Sequence, residues 1–248
     1  MPGRNKIRTN PLAKRPAGRQ PPGMRCLRPW IWLAIALASR ACAQDEPAPA
    51  LPPPPSRENQ VALFNGKDFS GFTFCMQKDA DPSRTWSVTN GVIHCTGSPL
   101  GYLRTVDSYS NYWLTVVWRF VKIAPKADNT GILVHIHEPD KVWPLCIQVQ
   151  GKHSHQGDLF LMGGAESKEH KGLDENTPIP FRGPSRENPV GQWNTVETVC
   201  IHNEVAAYLN GYFVNETTET TLNGGFIGIQ SEGGDIEIRS IYFTPLKY

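Results

Sequence analysis

No apolar run in the sequence is long enough to cross a membrane. The longest, Trp30 to Ala38, has nine residues, about half of the roughly twenty that a helix needs to span a bilayer. Helical periodicity of apolar residues is also missing, which excludes a helical bundle. Cysteine is scarce, with six in 248 residues, and no paired C-x-x-C appears, so the usual structural zinc sites are excluded. No segment repeats, which removes solenoids and arrays. Asp and Glu are absent from the first 43 positions, which hold nine Lys or Arg. Taking those nine from the 25 basic residues leaves 16 against 23 acidic ones, so the rest of the chain carries about −7. A body of that sign is a poor partner for nucleic acid or an anionic membrane, and neither is expected.

The basic start and the short apolar run are followed by Ala41-Cys42-Ala43. A small-residue site of this kind marks a secretory signal over residues 1–43 cut after Ala43, with Met24 as an alternative start. The expected location is therefore periplasmic or extracellular, with no transmembrane segment in the mature chain. A lipid anchor on Cys42 is the competing expectation, and Arg40 two residues earlier fits it badly. Residues 44–60 form a proline-rich linker of extended geometry that offers nothing to bury. Export permits disulfides. Cys75, Cys95, Cys146 and Cys200 are expected as small buried apolar side chains, with Cys75 to Cys95 the one pairing that stands against this.

From Val61 to Tyr248 the pattern is all-β, with short alternating runs, aromatic and β-branched, broken by Asn-Gly and other glycine turns. Predicted strands lie in TWSVTNGVIHCTG, YWLTVVWRFVKI, GILVHIH, CIQVQG, DLFLMG, NTVETVCIHN, VAAYLNGYFVNE, GFIGIQSE and DIEIRSIYF. In the second of these, Tyr112, Leu114, Val116, Trp118 and Phe120 share one face, and Arg119 belongs to the other. So many strands in one domain predict a two-sheet antiparallel jelly-roll sandwich, because one open sheet would leave a face and its edges unprotected. The polar, proline-rich connection from Met162 to Trp193 is too long for a turn, and it is expected to border a binding groove.

Four polar side chains recur at period two in GILVHIHEPDKVWPLCIQVQG. Strict alternation sets Leu133, His135 and His137 on one face of the first strand, and Cys146, Gln148 and Gln150 on one face of the second. If the strands are neighbours, these faces form a common surface. Asp158, Phe160 and Met162, and then Gln230 and Glu232, extend it by the same alternation. Amides, imidazoles, carboxylates and aromatics together suit a sugar, which offers hydroxyls and an apolar ring face. The competing expectation is a plain solvated sheet face. Trp143 is expected to pack into the core, with a sugar platform as the competing expectation.

The segments LFNGKDFSGF, WSVTNGVIHCTGSPLGYLRT, NYWLTVVWRF, NTGILVHIHEPDKVWPLCIQVQGKHSHQGDLFLMGG, GQWNTVETVCIHNEVAAYLNGYFVN and GFIGIQSEGGDIEIRSIYFTPL resemble, in order, the pattern of the 3-keto-disaccharide hydrolase family, also described as 3-keto-glucoside lyase/hydratases. The resemblance covers residues 61–248 and implies a concanavalin A-like fold. It also implies chemistry on a sugar or glycoside oxidised at its 3-hydroxyl. The 3-keto group acidifies the hydrogen on C2, a base removes it, the glycosidic oxygen leaves C1, and water adds back. Such a route needs a base and a group that holds the enediolate oxygen.

His135 is the first candidate for that base, with His137, Glu232 and Asp158 beside it. His135 and His137 are also the candidate half-site for a divalent metal that would polarise the ketone. The family commonly has a carboxylate where this chain has Gln148, and an amide takes no proton at neutral pH. Gln148 is therefore expected to bind substrate, unless this member has lost activity. Gln150, Gln230, Arg119, Lys152 and His153 are further expected substrate contacts, with a surface ion pair the competing expectation for Arg119. A non-catalytic carbohydrate-binding module is the alternative to an enzyme.

Overall fold

The computed structural model describes residues 59–123 and 128–247. The leader expected over 1–43, and the proline-rich stretch as far as Glu58, lie outside them. The described chain forms fourteen strands: β1 (Val61–Ala62), β2 (Phe72–Met76), β3 (Trp86–Thr89), β4 (Val92–Cys95), β5 (Gly101–Thr105), β6 (Tyr112–Lys122), β7 (Gly131–His137), β8 (Leu145–Gln150), β9 (Leu159–Met162), β10 (Asn194–Ile201), β11 (Glu204–Leu209), β12 (Tyr212–Thr217), β13 (Phe226–Ser231) and β14 (Asp235–Pro245). All the ladders between them are antiparallel. One sheet has eight strands in the order β12-β11-β10-β6-β14-β4-β3, with β1 also on β14. The other has six, in the order β2-β5-β13-β7-β8-β9. This is the expected jelly-roll sandwich.

Alternation decides what each sheet buries. The β6 residues Tyr112, Leu114, Val116, Trp118 and Phe120 enter the common core, and Ile132, Val134, Ile147, Val149, Leu159, Leu161, Ile227 and Ile229 meet them from the six-stranded sheet. Removing that apolar surface from water is the main favourable term, at about 25 cal/mol per Å². The hairpins turn where Asn-Gly was expected. Asn90 and Gly91 have φ of 54° and 77°, and Asn210 and Gly211 have 53° and 82°, values that match the right-handed twist of the strands they join.

Three strands were not among those predicted: β1, β2 and β5. The β2 run FTFCM and the β5 run GYLRT are brief and mix apolar with polar residues, so neither stands out until β5 pairs with both β2 and β13. The Cys75 to Cys95 pairing is corrected. All four described cysteines are free, Cys75 belonging to the outer face of the six-stranded sheet and Cys95 to the core between the sheets.

Candidate active site

The outer face of the six-stranded sheet carries the candidate site. Its middle is apolar, built from Tyr102, Leu133, Ile136 and Cys146 with Cys75, Met162 and Phe226 against them. Towards one end of β8 and β13 it becomes polar, because the outward positions there are Gln148, Gln150 and Gln230. A cleft of about 360 Å³ opens at this end, lined by Asn129, Trp143, Gln148, Gln150, Phe160, Met162, Gly163, Glu175, Asn176 and Glu232.

The three glutamines form an ordered chain of amides. Gln150 Oε1 accepts from the backbone N–H groups of Gly151 (2.9 Å) and Lys152 (3.1 Å), which fixes which end of that amide is oxygen. Gln148 Nε2 donates to the same oxygen (3.3 Å) and to Gln230 Oε1 (3.0 Å). Both amide hydrogens of Gln148 are thereby used, and its carbonyl is the end left without a protein partner. Gly131 makes the reach to Gln230 possible, since a Cβ there would stand 2.4 Å from Gln148 Nε2. A carboxylate at position 148 would face two amide oxygens in this network, so the glutamine suits its surroundings as a donor.

Glu232 is the half-buried carboxylate of the cleft. Burial raises its pKa above the ordinary glutamate value, and a hydrogen bond from Asn129 and the charge of Lys152 oppose the rise only in part. A carboxylate held in this way is a better base than one in water. Lys152 therefore acts beside the cleft through its charge and its backbone, without lining it.

The other candidates lie elsewhere. Strict alternation fails in β7, so the shared face expected for His135 and His137 with the glutamines is corrected. Ladder pairings run from Val134–Ile147 to His137–Leu145, and from Leu133–Gly228 to Ile136–Phe226, so β7 carries one residue too many against both neighbours. His135 sits in that bulge with φ of 55°. The extra residue turns the His135 side chain inward, where it is 0% exposed and meets the edge of the Tyr112 ring at 6.0 Å. Ile136 then takes the outer face. His137 Nε2 donates to Gly224 O (2.9 Å), away from the cleft. The two imidazoles do not converge, and among the described residues no three His, Cys, Asp or Glu side chains are grouped to hold a metal. The pair does not fit the divalent ion expected of it.

Asp158 is spent on the fold: Oδ1 accepts from Phe181 N (2.7 Å) and Oδ2 meets His155 Nδ1 (3.2 Å). His153 Nδ1 bonds Glu187 Oε1 (2.7 Å) and does not reach the cleft. Arg119 is on the other sheet, with Nη2 2.6 Å from Glu237 and the guanidinium 4.4 Å from the centre of the Trp193 ring. It forms the surface ion pair and holds no hydroxyl of this site. Trp143, expected in the core, is 47% exposed on the cleft wall. Asn129, Glu175 and Asn176 were not foreseen. Asn129 stands two residues before the start of β7, and the other two fall in the long connection expected to border a groove, whose period-free sequence marks no particular residue.

The buried His135 has a measurable consequence. Neither ring nitrogen has a well-formed hydrogen bond, and burial lowers its pKa from 6.5 to about 4, against weak opposition from the backbone of Leu222 and Ser110. The unfolded chain takes up this proton first. Stability from this residue is therefore complete above pH 6.5 and is lost as pH falls towards about 4. The loss over that window is expected to be about 3 kcal/mol. Denaturant titrations at several pH values should show the slope in the wild type and a flatter one in His135→Leu.

Comparison with known proteins agrees with this fold. The family model of the 3-keto-alpha-glucoside-1,2-lyase-like domain matches residues 59–244. No curated protein matches the chain. Among solved structures, a "putative glycosyl hydrolase" from Parabacteroides distasonis is 21% identical, with a TM-score of 0.58 over 77% of this chain and 95% of that one. The carbohydrate binding module CBM66 from Bacillus subtilis is 11% identical, with a TM-score of 0.51 over 70% of this chain and 95% of that one. At such identities the likeness is one of fold.

Proposed function

The chain belongs to the 3-keto-alpha-glucoside-1,2-lyase-like domain family, and from that premise we propose that it cleaves 3-keto-glycosides in the cleft on the six-stranded sheet, with Glu232 as the base. The observation that carries this reading is a half-buried carboxylate of raised pKa in a cleft whose buried polar walls are the amides of Gln148 and Gln150, while the other carboxylate of the lining, Glu175, is exposed and accepts from Gly163 N. In the proposed reaction Glu232 takes the proton from C2, and the electron pair moves into a C2–C3 enediolate. Collapse of that enediolate restores the ketone, forms the C1–C2 double bond and expels the glycosidic oxygen, which is protonated as it leaves. Water then adds its oxygen to C1 and a proton to C2.

The amide ends not used within the protein, Gln148 Oε1 and Gln150 Nε2, supply an acceptor and a donor for the ring hydroxyls and the developing oxygen charge. No step is routed through a metal at His135 and His137, because their rings do not converge. Burial keeps the Glu232 carboxylate basic, while the hydrogen bond from Asn129 and the Lys152 charge favour its ionised form. On this reading the domain works after export by the leader that ends at Ala43, which the mass of the secreted chain would check.

The chemistry makes a specific demand. The unoxidised glycoside lacks an acidic C2 hydrogen, so it should not be cleaved, whereas the 3-keto-glycoside should lose its aglycone and gain solvent deuterium at C2 when the reaction runs in D₂O. NMR of the product decides this. Cleavage without deuterium would place the chemistry at C1, as in ordinary glycosidases. The similarity in fold to a carbohydrate binding module favours one second reading, a domain that holds the sugar without cleaving it. Binding of the keto-sugar with no turnover would select it.

A further inference from the structure

The segment between β7 and β8, residues 138–144, leaves the sheet and is tied to its outer face at Asp140. The Asp140 carboxylate accepts from Tyr102 Oη at 2.9 Å and takes a two-pronged bond from Arg104, through Nε at 2.9 Å and Nη2 at 2.9 Å. Arg104 is 7% exposed. Its guanidinium lies 3.9 Å from the centre of the Phe226 ring, and Nη1 donates to Thr105 O at 3.0 Å. A guanidinium this deep in the molecule must keep a charged partner, because breaking the pair leaves an uncompensated buried charge. Glu138, at 3.5 Å from Nη2 and largely exposed, is a weak substitute. The segment is therefore fixed where Asp140 sits.

Three residues on, Trp143 stands on the cleft wall, 47% exposed, with Gln148, Gln150 and Glu232 also lining the cleft. The half of this large indole left in water gains nothing for the fold, yet the segment that carries it is held in place through a charge-assisted clamp. A pyranose ring offers the matching surface, with an apolar C–H face for the indole and hydroxyls at its rim for the amides. We propose that Trp143 is the stacking wall for a sugar ring in the cleft, a specificity-determining residue, and that Asp140, held by Tyr102 and Arg104, is the residue that positions it. This rests on the reading that the cleft holds a sugar. It does not depend on the C2 chemistry.

The test uses the full chain labelled with 5-fluorotryptophan, which places one fluorine on each of the seven tryptophans. Trp143→Phe identifies the Trp143 resonance, and methyl glucoside, which carries no ketone, is the titrant. That resonance should move as the sugar saturates the wild-type protein. Trp143→Ala should weaken binding about five- to tenfold, the range of one aromatic contact. Asp140→Asn should shift the resonance of the free protein and weaken binding to a lesser degree. Tyr102→Phe removes one donor to Asp140 and keeps the ring, so it should shift the free resonance in the same direction by less, and it serves if the Asp140 variant does not fold. Sugar binding with a silent Trp143, or with unchanged affinity in Asp140→Asn, overturns this proposal and leaves the reading of the cleft standing. No binding to the wild type by methyl glucoside or its 3-keto derivative overturns both.

Discussion

Glu232→Gln should slow turnover of a 3-keto-glycoside by about 10²- to 10⁴-fold, the usual contribution of a positioned acid or base, while the affinity for the sugar changes little. The amide keeps the shape of the side chain and cannot accept the C2 proton at neutral pH. The wild-type kcat/KM should fall on the acid side through a pKa above the ordinary glutamate value of 4.5, because burial raises that of Glu232. The variant's residual rate should lack this limb. A stability effect of opposite sense accompanies the loss. A carboxyl with a raised folded pKa contributes its stability below the unfolded pKa and loses it as pH rises through the folded one. At neutral pH the ionised group therefore costs stability, and Glu232→Gln should be the more stable protein there, the two converging as pH falls below 4.5. Unimpaired turnover in the variant would remove Glu232 from the mechanism.

Trp118→Ala should destabilise the domain by about 3–5 kcal/mol as a large-to-small change in the core. The indole is 3% exposed and meets the Phe120 ring edge to face at 5.0 Å. Its Nε1–H has no partner, so Trp118→Phe, which keeps a ring and removes the unpaired donor, should cost much less. The neighbouring Arg119→Ala should cost no more than about 1 kcal/mol, since the ion pair with Glu237 is partly exposed and screened. Chemical denaturation of the three variants checks the ordering. Equal losses at positions 118 and 119 would contradict the facing of β6.

Period-two alternation was sufficient for much of the cleft. Gln148, Gln150 and Phe160 lie in strands without bulges between β8 and β9, and Gln230 alternates with buried Ile227 and Ile229, so their outward facing follows from spacing alone. The same rule misplaced His135, because a single inserted residue reverses facing and shows itself only in the mismatch with two partner strands. It placed Arg119 on an outer face correctly but could not say of which sheet. Trp143 lies between apolar and proline neighbours, a composition common to core and loop, and only the anchoring of Asp140 by Tyr102 and Arg104 shows where its segment lies.

By itself the sequence determined the family resemblance, the all-β class, most of the strands, the Asn-Gly turns and which residues of each regular strand share a face. These depend on neighbours a few positions apart, and local sterics and hydrophobic pattern decide them. The tertiary structure decided which of those faces meet. Gln148 and Gln230 are 82 positions apart and join one amide network, while Glu232 joins the same cleft by following Gln230 out of β13. Strand order and register set such contacts through pairings distant in sequence, so the site exists only once the whole six-stranded sheet has formed.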